Sequence, residues 1–173
     1  MKKLFLCFLL PAFISCNAQT PVNRAHCKNP DFDKAVAQLL NFTVRTISAD
    51  SLKKIVPNVL LLDAREEKEF NVSHLPNAQN VGYKQFNRHL LDSVAKETPI
   101  VVYCSVGYRS EKIGEKLQAM GYNHVYNLYG SIFEWVNEGN QIVNGEGKPT
   151  QKLHTYNASW GKWVSGSKIE KIY

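Results

Sequence analysis

Cys104 is the residue of this 173-residue chain that is best placed for covalent chemistry. It follows an apolar run at residues 99–103 and opens a short loop, residues 105–109, that leads into a helical pattern. In an open α/β sheet, ligands bind at the carboxyl ends of strands, where a helix N-terminus and successive loop N–H groups attract anions. Such a setting lowers the pKa of a thiol and makes it nucleophilic. The alternative is an inert cysteine buried at a strand end.

Short apolar runs that alternate with helical patterns indicate the fold that positions Cys104. Strands are predicted at residues 43–48, 59–65, 78–81, 99–104 and 124–129. Helices are predicted from the spacing of apolar residues at 32–40, capped by Asp31, at 86–94, and at 110–120, stopped by Gly121. Shorter helical segments are predicted at residues 49–52 and 66–70. This order predicts an α/β fold with an open, parallel-rich sheet and helices on both faces.

Four segments resemble one known family in the same order along the chain. Residues 103–110, Tyr-Cys-Ser-Val-Gly-Tyr-Arg-Ser, resemble the active-site loop of rhodanese-like domains, which include single-domain sulfurtransferases. Three further segments are similar to the same family. They are Leu-Asp-Ala-Arg at 62–65 together with Ser-His-Leu-Pro-Asn-Ala-Gln-Asn-Val at 73–81, Gly-Tyr-Asn-His-Val-Tyr-Asn-Leu at 121–128, and Gly-Ser-Ile-Phe-Glu-Trp at 130–135. Together they cover about residues 44–143, so the fold is expected to be rhodanese-like.

The resemblance implies a sulfurtransferase mechanism. Cys104 would take a sulfane sulfur from thiosulfate, mercaptopyruvate or a persulfide, hold it as a persulfide, and pass it to a thiol or cyanide. No metal and no organic cofactor is implied. The implied substrate-binding residues are Ser105, Val106, Gly107, Tyr108, Arg109 and Asp63.

Some neighbouring residues carry further expectations and some depart from the family pattern. Arg65 is expected to pair with Glu69. Ser105 and Val106 are uncharged where thiosulfate-using relatives often have basic residues, which disfavours thiosulfate as the donor. Asn77 and Ser131 stand where the family has glycines.

Two other functions compete with this interpretation. Phosphatases of similar fold place five residues between cysteine and arginine, whereas four separate Cys104 from Arg109, the sulfurtransferase loop length. The second alternative is a sulfur-carrying, redox or partner-binding module without turnover. In that case a disulfide between Cys27 and Cys104 could block the thiol.

The ends of the chain differ in composition from its centre. Residues 1–15 combine Lys2 and Lys3 with an apolar run too short for a membrane span, which predicts a bacterial signal peptide. Cys16 then predicts lipidation, a tether at residues 16–30 and a membrane anchor in the cell envelope; plain secretory cleavage is the alternative. A domain at residues 31–147 and an aromatic extension at 148–173 that packs on it complete the prediction.

Charge and ligand spacing make other binding functions less favoured. The basic residues behind the net charge of +6 are scattered and form no block interleaved with aromatic residues, so no nucleic-acid site is predicted. The cysteines and histidines lack the paired spacing of a zinc site, so no metal is predicted.

Overall fold

Five parallel strands form the central sheet of the computed structural model, which describes residues 24–166 and 168–173. The strands are β1 (Arg45–Ile47), β2 (Leu60–Asp63), β3 (Gln79–Asn80), β4 (Ile100–Tyr103) and β5 (Val125–Leu128), in the order β1-β5-β4-β2-β3. The principal helices are α1 (Pro30–Leu39), α2 (Ala49–Ile55), α3 (Glu67–Val72), α4 (Tyr108–Ala119) and α5 (Ser131–Asn137). The predicted α/β class and parallel-rich sheet are confirmed.

The central strand β4 is buried on both faces because helices cover both sides of the sheet. Val101 and Tyr103 point into one core, with Phe32 of α1 and Phe133 of α5. Alternate residues, Val102 among them, point into the second core, beneath α4. Since side chains of a strand alternate between faces, Cys104 also belongs to the α4 side of the sheet.

Two predicted local features differ from the structure. The N-cap of α1 is Asn29, whose side chain accepts hydrogen bonds from the N–H groups of Asp31 and Phe32, so the prediction of Asp31 as the cap was wrong. The predicted helix at 86–94 is only a 3₁₀ turn, Arg88–Leu91. There the Asn87 side chain accepts the N–H of His89, a local bond that competes with helix formation.

The C-terminal segment folds back onto the domain. A hairpin of β6 (Ile142–Val143) and β7 (Pro149–Thr150) leads to β8 (Lys152–His154), α6 (Ala158–Gly161) and β9 (Glu170–Ile172), and β8 pairs with β9 in parallel. Leu153 and Val164 are buried in the first core, and the Trp163 ring stacks on Phe32 at 5.6 Å. The segment is therefore fixed by apolar packing.

The predicted signal peptide at residues 1–15 and the lipidation at Cys16 lie outside the described residues and stay predictions, as does the tether up to residue 23. Among residues 24–166 and 168–173, no helix is long and apolar enough to cross a membrane.

Gly114 allows α4 to approach the sheet closely, which generates a stability prediction. A Cβ at this position would lie 2.9 Å from Cγ2 of Val44. We expect overpacking in Gly114→Ala to lower the free energy of unfolding by about 1–3 kcal/mol. The higher helix propensity of alanine, about 1 kcal/mol, should offset only part of this loss. Urea unfolding measures the change. In a Val44→Ala background the same substitution should cost less, and a stabilised Gly114→Ala single variant would contradict the account.

Candidate active site

Cys104 lies directly after β4, where the strand gives way to α4. Its side chain is 1% exposed, so only a slender group can reach the sulfur. The chain then turns through residues 105–107 before α4 begins at Tyr108. Because the first N–H groups of a helix have no intrahelical acceptor, the positive end of α4 faces this turn.

The loop backbone presents N–H groups to the sulfur. The N–H of Gly107 donates to Cys104 Sγ at 3.1 Å. This requires a φ of +128° at Gly107, a region that residues with a Cβ rarely adopt. The carbonyls of Cys104 and Ser105 face the other way and accept from the N–H groups of Ile132 and Phe133 at 3.2 and 3.3 Å. The start of α5 thus holds the loop in this orientation.

Side chains behind the loop complete the contacts to the sulfur. The hydroxyl of Ser110 lies 3.5 Å from Cys104 Sγ, and that of Ser131 lies 4.0 Å from it. Ser131 Oγ also accepts the N–H of Cys104 at 3.0 Å, and Asn127 Nδ2 donates to the carbonyl of Gly107 at 3.0 Å. Ser131 and Asn77, both at family glycine positions, have φ values of 52° and 64°.

These contacts favour the thiolate form of Cys104. Burial raises the pKa of its thiol, but the positive charge of Arg109 and hydrogen bonds from Ser110 and Gly107 outweigh that effect. The pKa of Cys104 therefore lies below its ordinary value. Cys27 is also a free buried thiol, and burial together with the charge of Glu134 raises its pKa well above the ordinary value. The two cysteines are not joined by a disulfide.

Arg109 is held by a carboxylate from α3. Its Nη1 and Nη2 donate to the two oxygens of Glu69 at 2.6 and 2.8 Å, and Nη2 also donates to Ser105 Oγ at 3.0 Å. The Glu69 side chain is 2% exposed and that of Arg109 is 14% exposed. A bidentate pair of this kind fixes the guanidinium beside the loop.

Asp63 and Arg65 form a second, fully buried pair. Arg65 Nε and Nη2 donate to the Asp63 carboxylate at 2.6–3.1 Å, and Nη2 donates to the carbonyl of Ser73 at 2.6 Å. The expected pairing of Arg65 with Glu69 was wrong. The backbone N–H of Arg65 donates to Asp63 Oδ1, which holds the Asp63 carboxylate beside the Arg65 side chain. Asp63 is 0% exposed and does not line the cavity in front of Cys104.

A cavity of about 530 Å³ opens in front of Cys104. Five of the predicted site residues line it, namely Cys104, Ser105, Val106, Tyr108 and Arg109. Gly107 is not on the cavity wall and instead contributes its N–H to the sulfur. Within residues 24–166 and 168–173 there is no group of three or more side chains suited to hold a metal ion.

Part of the cavity wall was missed by sequence reasoning. The C-terminal segment contributes His154, Tyr156, Trp160 and Tyr173, and Lys68, Lys84 and Tyr83 come from elsewhere in the chain. The concentration of aromatic residues after residue 150 was a signal that the segment packs on the domain. It gave no indication of which face the segment covers.

His154 places an imidazole in this wall. Its Nδ1 accepts the N–H of Tyr156 at 3.1 Å, which assigns the proton of the neutral ring to Nε2. Burial lowers the pKa of His154, so the neutral form dominates at pH 7. The neutral ring therefore carries its N–H at Nε2.

Comparison with known proteins identifies the fold and the sequence relationship. The family described as Rhodanese-like domain matches residues 48–138, just over half of the chain. The tRNA uridine(34) hydroxylase of Buchnera aphidicola is 32% identical in an alignment of 89 residues that covers 49% of this chain and 28% of that protein. The adenylyltransferase and sulfurtransferase UBA4 of Candida albicans is 31% identical in an alignment of 101 residues that covers 54% of this chain and 23% of that protein.

Solved structures agree with that match. A rhodanese-related protein of Thermoplasma volcanium aligns with a TM-score of 0.51 and 28% identity over 57% of this chain and 97% of its own. A thiosulfate sulfurtransferase of Pseudomonas aeruginosa aligns with a TM-score of 0.54 over 69% of this chain and 23% of its own; at 18% identity this likeness shows the fold alone.

The role assigned to Arg109 leads to a pH prediction. Replacing it in Arg109→Gln removes a positive charge that stabilises the Cys104 thiolate, so the pKa of Cys104 should rise. The pH profile of iodoacetamide alkylation at Cys104 should shift to higher pH, with a several-fold slower rate at pH 7 because less thiolate is present. The control Lys112→Gln removes a partly buried cation of the same helix, which is paired with Glu115, and should leave the profile in place. An unchanged profile in Arg109→Gln would refute this role.

The buried Asp63–Arg65 pair leads to a stability prediction. Asp63→Asn leaves the Arg65 charge buried without its counter-charge, and we expect a loss of about 3–5 kcal/mol in the free energy of unfolding. The double variant Asp63→Leu/Arg65→Met should lose less, because both charges are absent. Urea denaturation tests both. Wild-type stability of Asp63→Asn with impaired turnover would restore Asp63 to the substrate-binding role expected from sequence.

Proposed function

The chain belongs to the rhodanese-like domain family, and from that premise we propose that it is a sulfurtransferase in which Cys104 carries the transferred sulfur as a persulfide. The observation that supports this most is the environment of Cys104 Sγ. A buried thiol with a lowered pKa accepts a backbone N–H from Gly107 and stands at the start of α4. An activated thiolate is what nucleophilic sulfur capture requires.

The reaction would proceed in two displacement steps. In the first, the Cys104 thiolate attacks the outer sulfur of the donor, a new S–S bond forms, and the leaving group departs with the electron pair of the broken bond. With thiosulfate the leaving group is sulfite. In the second, a thiolate or cyanide attacks the outer sulfur of the persulfide, and the Cys104 thiolate is regenerated with its electron pair.

The loop must stabilise negative charge on sulfur in both steps of the reaction. The terminal sulfur of a persulfide is anionic, and the free N–H groups at the start of α4 favour an anion in front of the loop. Hydrogen-bond donors that are fixed before the reaction need no reorganisation when the negative charge moves to the outer sulfur. Arg109 adds a positive charge that its bonds to Glu69 hold in position.

The donor is proposed to be a small sulfane-sulfur compound: thiosulfate, mercaptopyruvate or a low-molecular-weight persulfide. Cys104 is nearly inaccessible, which favours a donor with a slim terminal sulfur. Thiosulfate is the least favoured of the three, because Ser105 and Val106 bring no charge and Arg109 is already paired.

Other activities named for relatives are not extended to this chain. It spans only 23–39% of the length of the first relatives, such as the tRNA uridine(34) hydroxylases of Buchnera aphidicola and Legionella pneumophila and the Candida albicans protein. Sulfur transfer is the activity for which the Cys104 loop supplies chemistry.

A sulfur-transfer assay tests the proposal. The protein is given thiosulfate, mercaptopyruvate or glutathione persulfide as donor and cyanide as acceptor, and thiocyanate is measured. We expect turnover that Cys104→Ser abolishes, because a hydroxyl cannot carry the sulfur. The matched variant Cys27→Ser should retain turnover, since the raised pKa of Cys27 keeps that thiol protonated. Lack of turnover with every donor would move the proposal to a sulfur-carrying or redox module.

A further inference from the structure

Exposed aromatic side chains gather at the Cys104 cavity. Within residues 24–166 and 168–173, the large apolar side chains that remain exposed are Tyr108, Tyr156 and Tyr173, at 41%, 57% and 64%. All three line the cavity. Tyr83 and Trp160 bring the number of aromatic side chains in the wall to five. Exposed apolar surface concentrated at one site is typical of a binding surface.

Three of these five rings come from the C-terminal segment, which is anchored independently of the cavity. Tyr156 follows β8, whose Leu153 is fully buried. Trp160 lies in α6, where its backbone N–H donates to Asn157 Oδ1 at 3.0 Å. Tyr173 directly follows β9, which pairs with β8. The backbone that carries these rings is therefore fixed before any ligand arrives, which reduces the entropy lost on binding.

Tyr156 is held in an unfavourable backbone conformation at the cavity. Its φ is +65°, which is uncommon for a residue with a bulky side chain. The bond from its N–H to His154 Nδ1 supports this conformation, and the ring lies 5.6 Å from the Arg109 guanidinium carbon. Backbone strain of this kind tends to occur at functional sites.

The charge at the cavity is nearly balanced. Three basic residues, Lys68, Lys84 and Arg109, face two acidic residues, Glu66 and Glu69. Both Glu69 oxygens are bound to Arg109, so the strongest cation near Cys104 is already compensated. A small inorganic dianion finds no uncompensated arginine here, whereas an apolar group finds aromatic faces.

The size of the cavity also fits an organic molecule. Its volume of about 530 Å³ lies within the range of about 300–1,000 Å³ that is usual for small-molecule sites. Cys104 lies on its wall and is almost buried, so the apolar body of a donor can occupy the aromatic region while its terminal sulfur reaches the thiolate.

We propose that the Cys104 site takes a sulfane-sulfur donor whose sulfur is attached to a planar, apolar organic group, and that Tyr156, Trp160 and Tyr173 determine this preference. The inference rests on the proposed sulfurtransferase function and specifies its substrate class. In the loading step the Cys104 thiolate forms a bond to the outer sulfur. The bond from that sulfur to the organic group breaks, and its electron pair leaves with the organic anion. No external oxidant or reductant is consumed.

Two thiosulfonates that differ only in their organic group test this proposal. Benzenethiosulfonate and methanethiosulfonate carry the same reacting S–S bond, and each leaves as its sulfinate. The second-order rate constant of persulfide formation on Cys104 is measured for each by intact mass. We expect the aryl donor to react at least about tenfold faster, because one or two aromatic contacts are worth that much.

Substitution of the two most exposed rings separates binding from folding. Tyr156→Ala/Tyr173→Ala should lower the aryl-to-methyl ratio several-fold, whereas Tyr156→Phe/Tyr173→Phe keeps the rings and should keep the ratio. Both side chains are more than half exposed, so the core is unaffected, which circular dichroism checks.

The outcomes distinguish the inference from the proposed function. Persulfide formation with a wild-type ratio near one, or an unchanged ratio in the double alanine variant, would overturn the substrate class and leave sulfur transfer standing. Absence of a Cys104 persulfide with both donors and with thiosulfate would overturn both.

Discussion

The reactivity of Cys104 depends on the direction of a few peptide groups. The loop after β4 must turn its N–H groups toward the sulfur and its carbonyls away, and such an arrangement costs free energy unless the carbonyls find partners. They do: the first N–H groups of α5 bind the carbonyls of Cys104 and Ser105, and Asn127 binds that of Gly107. The parallel sheet brings β4, β5 and the start of α5 together at one edge, so the fold itself supplies these partners.

Two arginine–carboxylate pairs near this edge have different roles. Asp63 and Arg65 are buried and paired with each other, and we assign them to the scaffold. Glu69 and Arg109 lie at the cavity, where Arg109 places a positive charge beside Cys104 and is itself paired with the Glu69 carboxylate. The second pair therefore lowers the pKa of the Cys104 thiol, and the proposed function leaves donor selection to the aromatic wall.

The fold and the position of Cys104 at the end of a buried strand were predictable because both have local signatures. Apolar runs gave the strands, and Cys104 stands at the end of one with Gly107 in the following loop. The contacts that complete the site are long-range. Whether Arg65 or Arg109 pairs with Glu69 depends on backbone turns that periodicity does not encode. The approach of His154 and Tyr156 to a cysteine some fifty residues earlier depends on how β8 and β9 pack, which no short motif specifies.

The most direct test of the account compares the thiols within one molecule. The protein is treated with limiting sulfane-sulfur donor at pH 7, and each cysteine is mapped by peptide mass spectrometry. The account predicts an added sulfur on Cys104 that cyanide removes, and none on Cys27, because the two pKa values are shifted in opposite directions. Equal labelling of both, or sulfur on Cys27 alone, would contradict the claim that the loop makes Cys104 the sulfur-accepting thiolate.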